Sequence, residues 1–559
     1  MGKPKIVIVG GVAGGASAAA KARRCSEDAE IVMYEKGPEI AYANCGLPYY
    51  LSGVIDDRQN LLIVTEKLFR RRFRVDVRTN REVIKIDRAR KAVIARNKET
   101  GGIEEESYDR LILSPGSTPV IPPLPGVDLP FVFTFKTLDD TDCVYGYLQE
   151  KHPQEAVIVG GGLIGMEVME NLGLKGLKVS IVEKLNQILP FLDWDMAELV
   201  RQHAEERGVK FYLSQGLKGI ESRNGSGLLH TETGQTLKAD LVILSLGIRP
   251  NVALAREAGL EIGETGGIKV NEFMQTSDPD ILAAGDCVES INRVTGKPVL
   301  TPMGSAANKQ GRAAGANALG REIPVKGFVG TVILKVFDLT IAKTGLSEAD
   351  ARRSGFDPLV TFIHPGHIAG YYPGSKPLHM KTITDRTSGR LLGGQVIGEE
   401  GVDKRIDVLA TAIYHEMNVQ ELLQLDLAYA PPYSAARDPV VIAGAVGQNF
   451  FDGDWVPITP TELKAKIERR EELNLIDVRS KGECIQEGII PGALHIPLDR
   501  LRDKVDQLSR DRETIVYCAT GLRSYLAARI LMQKGFTRVK NLTGGTVSWL
   551  YPLKKMRTE

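Results

Sequence analysis

Lys5-Ile6-Val7-Ile8-Val9-Gly10-Gly11-Val12-Ala13-Gly14-Gly15 is a short β-branched run that breaks into glycines. An alanine-rich segment of helical propensity follows, from Ala16 to Arg24. Strand, glycine turn and helix in that order make a dinucleotide-binding unit. The glycines let the backbone approach a pyrophosphate, and the helix N-terminus faces its charge. Val12 stands at the second glycine of the strict G-x-G-x-x-G pattern. The partner feature is intact: Ile31-Val32-Met33-Tyr34-Glu35 is a second strand ending in an acid placed for a ribose hydroxyl. The pattern returns about 150 residues later. Ala156-Val157-Ile158-Val159 runs into Gly160-Gly161-Gly162-Leu163-Ile164-Gly165, with all three glycines present, and Val179-Ser180-Ile181-Val182-Glu183 brings the second acid. One such fingerprint is weak evidence. Two, each with its own strand and acid, predict two Rossmann-like nucleotide-binding domains in an α/β chain.

At 559 residues the chain is too long for one core, and three to five domains are expected. A hydrophobic content of 43% and a charged content of 25% are those of a soluble globular protein. The net charge of +1 leaves no basic field for nucleic acid. Arg70-Arg71-Arg72 reads mostly as a solvated helix face. Cysteines 25, 45, 143, 287, 484 and 518 are scattered, without a CxxC pair or metal-ligand spacing. That pattern fits a reducing cytoplasm and argues against a disulfide framework or a zinc site, and no metal is expected. The first strand begins at Lys5, which leaves no room for a leader, and no apolar run reaches the ~18 residues of a membrane span.

Ile40-Ala41-Tyr42-Ala43-Asn44-Cys45-Gly46-Leu47-Pro48-Tyr49-Tyr50 places a lone cysteine about ten residues after Glu35. This stretch resembles the active-site segment of the coenzyme A-disulfide reductase branch of the flavin disulfide reductases. Most flavin disulfide reductases carry C-x4-C; here Tyr50 stands where the second cysteine would be, so a second sulfur must come from the substrate. The resemblance implies FAD on the first fingerprint and NADH, or NADPH as the alternative, on the second. For FAD it implies contacts from Gly10, Val12, Ala13, Gly14, Gly15, Glu35, Lys36, Asn44, Ser114, Pro115, Gly116 and Asp286. For the nicotinamide cofactor it implies Gly160, Gly162, Leu163, Ile164, Gly165, Glu183 and Gly247. Asp280-Ile281-Leu282-Ala283-Ala284-Gly285-Asp286 is similar to the motif whose aspartate holds the ribityl chain. Coenzyme A is implied as substrate, contacted by Asn44 beside the cysteine and by Arg24 and Arg72, whose cations suit its phosphates. Asn308 and Arg312, on an expected helix from Pro302 to Gly315, are further candidates. Ala41 departs from the family, which commonly has Ser there to contact the pantetheine arm.

Thr331–Val336, Leu359–Ile363, Met380–Thr384 and Leu391–Ile397 read as antiparallel strands, and Val402–Met417 as a helix. This resembles the family's α+β dimerisation domain. Tyr371 in Ala369-Gly370-Tyr371-Tyr372-Pro373-Gly374, and Tyr429 before Ala430-Pro431-Pro432, match positions that reach across a homodimer to the partner's cysteine. After a Pro- and Gly-containing linker, Leu475-Ile476-Asp477-Val478-Arg479, Gly488 to Leu498 and Thr514-Ile515-Val516-Tyr517 read as three strands. The last runs into Cys518-Ala519-Thr520-Gly521-Leu522-Arg523. This C-terminal part resembles a rhodanese domain. Its C-x4-R loop is sized to wrap backbone N–H groups around one sulfur, with Arg523 and the helix dipole stabilising an anionic persulfide. The expected divisions are 1–115 and 251–325 for FAD, 116–250 for NAD(P)H, 326–448 for dimerisation, 449–460 as linker and 461–559 for rhodanese.

A working Cys45 must be a thiolate, and a positive neighbourhood would lower its pKa from the ordinary ~8.5. Rhodanese and reductase chemistry meet in persulfides. The expectation is therefore an NAD(P)H- and FAD-dependent reductase of coenzyme A persulfide, polysulfide or coenzyme A disulfide, cytoplasmic and homodimeric. One alternative is an NADH oxidase or peroxidase in which Cys45 cycles through a sulfenic acid. Another is a redox-sensing or sulfur-relay protein with the flavin as reporter.

Overall fold

The Lys5–Val9 strand lies at the centre of a five-stranded parallel sheet, in the order Ile281–Ala283, Arg110–Leu113, Lys5–Val9, Glu30–Tyr34, Asp76–Arg78. In this computed structural model, residues 3–223 and 226–556 are described. A second parallel sheet repeats the plan: Lys210–Tyr212, Lys178–Val182, Glu155–Val159, Leu241–Leu244, Val132–Thr134. Both sheets are buried on both faces, which is why their strands are runs of Val, Ile and Leu rather than alternating patterns. Ile6, Ile8, Ile158 and Ile243 are fully buried, and each such side chain contributes about 1.5–3 kcal/mol.

The chain divides into two compact units. The first holds both parallel sheets, in residues up to Leu189 and Glu205–Phe328; the second holds Pro190–Ala204 and the chain from Val329 onward. In the first unit, helix Ala13–Cys25 lies close along helix Gly304–Asn317. A Cβ on Gly311 would fall 2.1 Å from the Gly14 carbonyl, and one on Gly315 equally close to that of Ala18. Small residues are thus a packing requirement of this pair.

In the second unit, five antiparallel strands run Val332–Val336, Leu339–Gly345, Leu391–Gly398, Leu378–Asp385, Pro358–Ile363, with helix Val402–Tyr414 against them. Leu339–Gly345 was not expected as a strand, because Leu339-Thr340-Ile341-Ala342-Lys343 follows its neighbour through the tight turn at Phe337. The last sheet is parallel: Pro457–Ile458, Val539–Leu542, Glu513–Tyr517, Leu473–Asp477, Leu494–His495.

Two expectations are corrected there. Gly488 to Leu498 is not one strand. Only Leu494–His495 pairs, because Gly488 and Gly492 take φ of 91° and 88° and Pro491 can donate nothing to a ladder. The linker is also shorter than 449–460. Helix Pro439–Phe451 extends into it, and Pro457–Ile458 is already the outer strand of the last sheet.

Candidate active site

The segment before Cys45 is clamped by backbone hydrogen bonds. Ala41 N–H donates to the Gly11 carbonyl at 3.0 Å, Ile63 N–H to Ala41 at 3.0 Å and Ala43 N–H to Leu61 at 2.8 Å. Ala41 takes φ of 47°, a left-handed conformation that an alanine holds at some cost. Cys45 sits in the turn Asn44–Gly46, directly before helix Leu47–Ser52. Tyr50 is buried and stacked on Tyr145, with centroids 4.8 Å apart. Ser52 Oγ donates to Asn171 Oδ1 at 2.6 Å and ties this helix to Leu163–Leu174, the helix of the second fingerprint. The cysteine is therefore carried between the two nucleotide folds.

The two fingerprints are built alike. A Cβ on Gly10 would fall 2.0 Å from the Ser114 carbonyl, and one on Gly160 would fall 2.2 Å from that of Ser245. The third glycines, Gly15 and Gly165, abut the carbonyls of Gly10 and Gly160 at 1.8 and 2.1 Å in the same sense. The second glycine differs. Gly162 has nothing within 4 Å of a Cβ position and an ordinary φ of −77°, which is why Val12 is tolerated at its counterpart. Glu35 accepts from Gly11 N–H at 2.7 Å and Gly37 N–H at 2.9 Å. Glu183 accepts from Gly161 at 2.7 Å and Leu185 at 2.8 Å. Each carboxylate oxygen keeps a lone pair for a ribose hydroxyl. Burial pushes the Glu35 carboxyl up, against the two amides that hold it ionised. Ala13 and Leu163 open the two helices, with Gly14 and Ile164 next in line, while Lys36 stands exposed beside Glu35. Pro115, Gly116 and Gly247 lie past the strand ends Leu113 and Leu244. These residues fit a dinucleotide at each sheet.

Asp286 lies in the same region and accepts from Ser117 Oγ at 2.8 Å and from Lys136 Nζ at 2.9 Å. Asn44 Nδ2 donates to the Lys136 carbonyl at 3.3 Å, so Lys136 links the cysteine turn to Asp286. The surroundings of Cys45 are less positive than expected. Burial pushes its thiol up, the Glu167 and Asp286 carboxylates push it further, and Lys136 opposes them. The cause is that two carboxylates face the thiol, Glu167 on the helix of the second fingerprint and Asp286 past strand Ile281–Ala283, with Lys136 opposing them.

Lys136 and Glu167 were missed by sequence reasoning. Lys136 lies in the loop between Val132–Thr134 and Leu138–Lys151 and carries no periodic signal. Glu167 could have been found: a carboxylate two residues past Gly165, in an otherwise apolar helix start, needs a reason. Burial and the neighbouring Glu170 push Glu167 up to about 7. It is therefore protonated in mild acid and charged in mild base, and only the charged form opposes the Cys45 thiolate. In the holoenzyme, Glu167→Gln should alkylate at Cys45 at the wild-type rate at pH ~6 and roughly 3–10-fold faster at pH ~8. Equal rates at the higher pH would remove Glu167 from the thiol's environment.

Arg24 and Arg72 are both exposed, near the ends of neighbouring helices. Arg23 joins those helices, donating to the carbonyls of Phe73 at 2.8 Å and Arg74 at 2.9 Å. Asn308 accepts from Ser17 Oγ on the same helix as Arg24, and Arg312 is exposed one turn beyond Asn308.

Tyr371 and Tyr429 meet through their hydroxyls at 3.2 Å and are 75% and 49% exposed, unusual for large aromatic side chains without a partner surface. The Tyr429 hydroxyl pushes Tyr371 above the usual phenol range.

Cys518 is buried at the end of Glu513–Tyr517. Its Sγ accepts from Gly521 N–H at 3.1 Å and Ser524 Oγ at 3.4 Å, and Gly521, at φ 110°, opens helix Leu522–Gln533. Arg523 makes two hydrogen bonds to Glu483, at 2.8 and 2.6 Å, and also faces Cys518. That pairing holds the Glu483 carboxyl well below the usual range. Burial pushes the thiols of Cys287 and Cys484 up to about 12, which leaves them unreactive beside these two sites.

The family model for pyridine nucleotide-disulphide oxidoreductases matches residues 4–307, that for their dimerisation domain residues 331–440, and that for rhodanese-like domains residues 459–551. The reduced CoADR-RHD of Bacillus anthracis is 41% identical, with a TM-score of 0.95 and 98% of each chain covered. An NAD-dependent persulfide reductase from A. fulgidus is 38% identical, with a TM-score of 0.91, covering 98% of this chain and 100% of that one. An NADH oxidase of Methanocaldococcus jannaschii is 36% identical over 440 residues, 78% of this chain and 97% of the relative. No helix among the described residues is long and apolar enough to cross a membrane.

Proposed function

Because the chain belongs to the pyridine nucleotide-disulphide oxidoreductases, and carries their dimerisation domain and a rhodanese-like domain, we propose that it uses NAD(P)H to reduce coenzyme A persulfide, polysulfide or coenzyme A disulfide. The observation that carries this reading is the lone thiol at Cys45, with Tyr50 stacked on Tyr145 where a resolving cysteine would stand. The Cys45 thiolate attacks one sulfur of the substrate. A mixed disulfide forms on Cys45, and hydrosulfide or a thiolate leaves. FAD, when bound, supplies the two electrons taken from NAD(P)H that return Cys45 to the thiolate and release the second thiol. Arg24 and Arg72 hold the phosphates of coenzyme A, and Asn44 fixes the turn that presents the sulfur. Cys518 carries sulfane sulfur as a persulfide within its loop of amides.

The proposed unit is a homodimer in which Tyr371 and Tyr429 serve the partner's cysteine. Their coupled hydroxyls suit them to protonate the leaving thiolate. Tyr371→Phe and Tyr429→Phe should each slow reduction by about 10–100-fold, with FAD bound and the dimer intact. Wild-type rates in both variants would remove the tyrosines from the mechanism.

The test of the whole reading is a mass spectrum of the purified protein. A mass added to the Cys45 peptide equal to one coenzyme A thiol supports it. A Cys45 oxidised only to sulfenic or sulfinic acid, with steady peroxide-dependent NADH oxidation, would favour the second reading, a peroxidase or oxidase. The likeness to the M. jannaschii NADH oxidase keeps that reading open.

A further inference from the structure

Phe362 and Lys381 are register partners on adjacent antiparallel strands and so share one face of the sheet. His364 and His379, two residues away on each side, extend that face, and their rings meet edge to face with centroids 4.9 Å apart. Lys381 is fully buried, 4.9 Å over the Phe362 ring, and is paired with Asp193 at 3.0 Å and Asp195 at 2.9 Å. The face is thus locked from one end. From the other end it reaches the segment that follows strand Val539–Leu542. Phe362 N–H donates to Thr543 Oγ1 at 2.8 Å, and His364 Nε2 lies 2.8 Å from Ser548 Oγ.

The same short segment holds the sulfur loop on its far side. Thr546 N–H donates to the Cys518 carbonyl at 2.9 Å and Val547 N–H to that of Ala519 at 3.1 Å. Two glycines make this double contact fit. A Cβ on Gly544 would lie 2.7 Å from Phe362 Cβ, and one on Gly545 would lie 2.3 Å from the Cys518 carbonyl. Thr543, Gly545, Ser548 and Cys518 are all buried.

The contacts of the two rings restrict where their protons sit. His364 Nδ1 and His379 Nδ1 are 2.9 Å apart, so one ring must donate and the other accept. Burial, and then the neighbouring ring, push His364 down to about 3, and burial lowers His379 as well, so both rings are neutral at physiological pH. One tautomer that meets these contacts has His379 donate from Nδ1 and His364 carry its proton on Nε2, which lies 2.8 Å from Ser548 Oγ; the Gly544 backbone is a further partner of His364.

We propose that His364 is a positioning residue for sulfur transfer at Cys518. Through Ser548 it fixes the segment that sets the Cys518–Gly521 amides around the sulfur. The proposal rests on the reading of Cys518 as the sulfur-carrying thiolate. The Gly521 amide lies 3.1 Å from Sγ, and hydrogen bonding to an anion weakens steeply as such a contact lengthens.

The test uses the full-length holoenzyme with inorganic polysulfide as donor and a small thiol as acceptor. His364→Phe fills the space but removes the Nε2 donor, whereas His364→Gln restores an N–H at that reach. His364→Phe should lose about 10-fold in kcat for sulfur transfer, with the acceptor KM within about 2-fold. His364→Gln should stay within about 2-fold of wild type. Ser548→Ala should match His364→Phe, and the double variant should be no worse than either, because both break one bond. Alkylation of Cys518 by iodoacetamide should slow in the same order, and NADH-dependent reduction of a small soluble disulfide should be unchanged throughout. Wild-type kcat in His364→Phe, or a His364→Gln variant as impaired as His364→Phe, would overturn the proposal. If His364→Phe does not fold, Ser548→Ala against His364→Gln decides in the same way. A wild-type protein without sulfur transfer would sink the Cys518 assignment, and the order of alkylation rates would still test the positioning.

Discussion

Cys45→Ser should lower the reduction of coenzyme A disulfide and persulfide by at least about 10³-fold. A hydroxyl cannot form the mixed disulfide, and the position of a resolving cysteine is held by Tyr50, stacked against Tyr145. FAD should remain bound, because the glycine turns and Glu35 do not involve the thiol. NADH should still bleach the flavin absorbance in a single turnover. It should do so more efficiently than NADPH, because the Glu183 carboxylate, held by the Gly161 amide, would accept from a ribose 2′-OH and repel a 2′-phosphate. Lys184 beside it is 3.6 Å from Glu232, which answers part of its charge. Residual disulfide reduction within about tenfold of wild type would place the chemistry on another group. Equal efficiency of the two donors would remove Glu183 as the selector.

Cys518→Ser should abolish sulfur transfer from polysulfide to a thiol acceptor, a loss of roughly 10³-fold or more, while small soluble disulfides are reduced at the wild-type rate. The two sites differ in their setting. Cys45 is carried in the turn between two nucleotide folds, directly before helix Leu47–Ser52. Cys518 is buried in its loop, with the Gly521 amide 3.1 Å from its sulfur, and a donor has to bring its sulfur to that loop. If Cys518 loads sulfur onto coenzyme A for the flavin site, Cys518→Ser should also lose sulfide release from polysulfide. The assay is sulfide release with and without added coenzyme A. A Cys518→Ser variant equal to wild type under every condition would make the second domain an independent enzyme rather than a relay.

The nucleotide folds were legible because both of their signals are local. A β-branched run, glycines and a strand-end acid occur within about 30 residues, and one sheet order satisfies both copies. Cys45, Cys518 and the two tyrosines stand out in the sequence for the same reason, each in a short, unusual context. The environment of Cys45 was not. Glu167 comes from a helix more than 100 residues away and Lys136 from an irregular loop, so neither the raised thiol nor its causes could be read along the chain. The strand expected from Gly488 to Leu498 failed because apolar content was read without the left-handed glycines inside it. The short linker failed for a related reason: Asp452-Gly453-Asp454 and Pro457 signal a break, but not that the next strand begins at once.

That short joint limits how sulfur can travel. Between helix Pro439–Phe451 and strand Pro457–Ile458 the chain is still tied down: Gly453 N–H donates to the Phe450 carbonyl at 3.0 Å, and the Trp455 indole donates to Val446 at 3.1 Å. Thr543 and Ser548 then seat the sulfurtransferase fold on the antiparallel sheet. A fold seated so firmly cannot act as a swinging cargo arm relative to that sheet. If Cys518 carries sulfane sulfur, that sulfur would be handed to a thiol that comes to the loop rather than delivered by motion of the domain on that sheet.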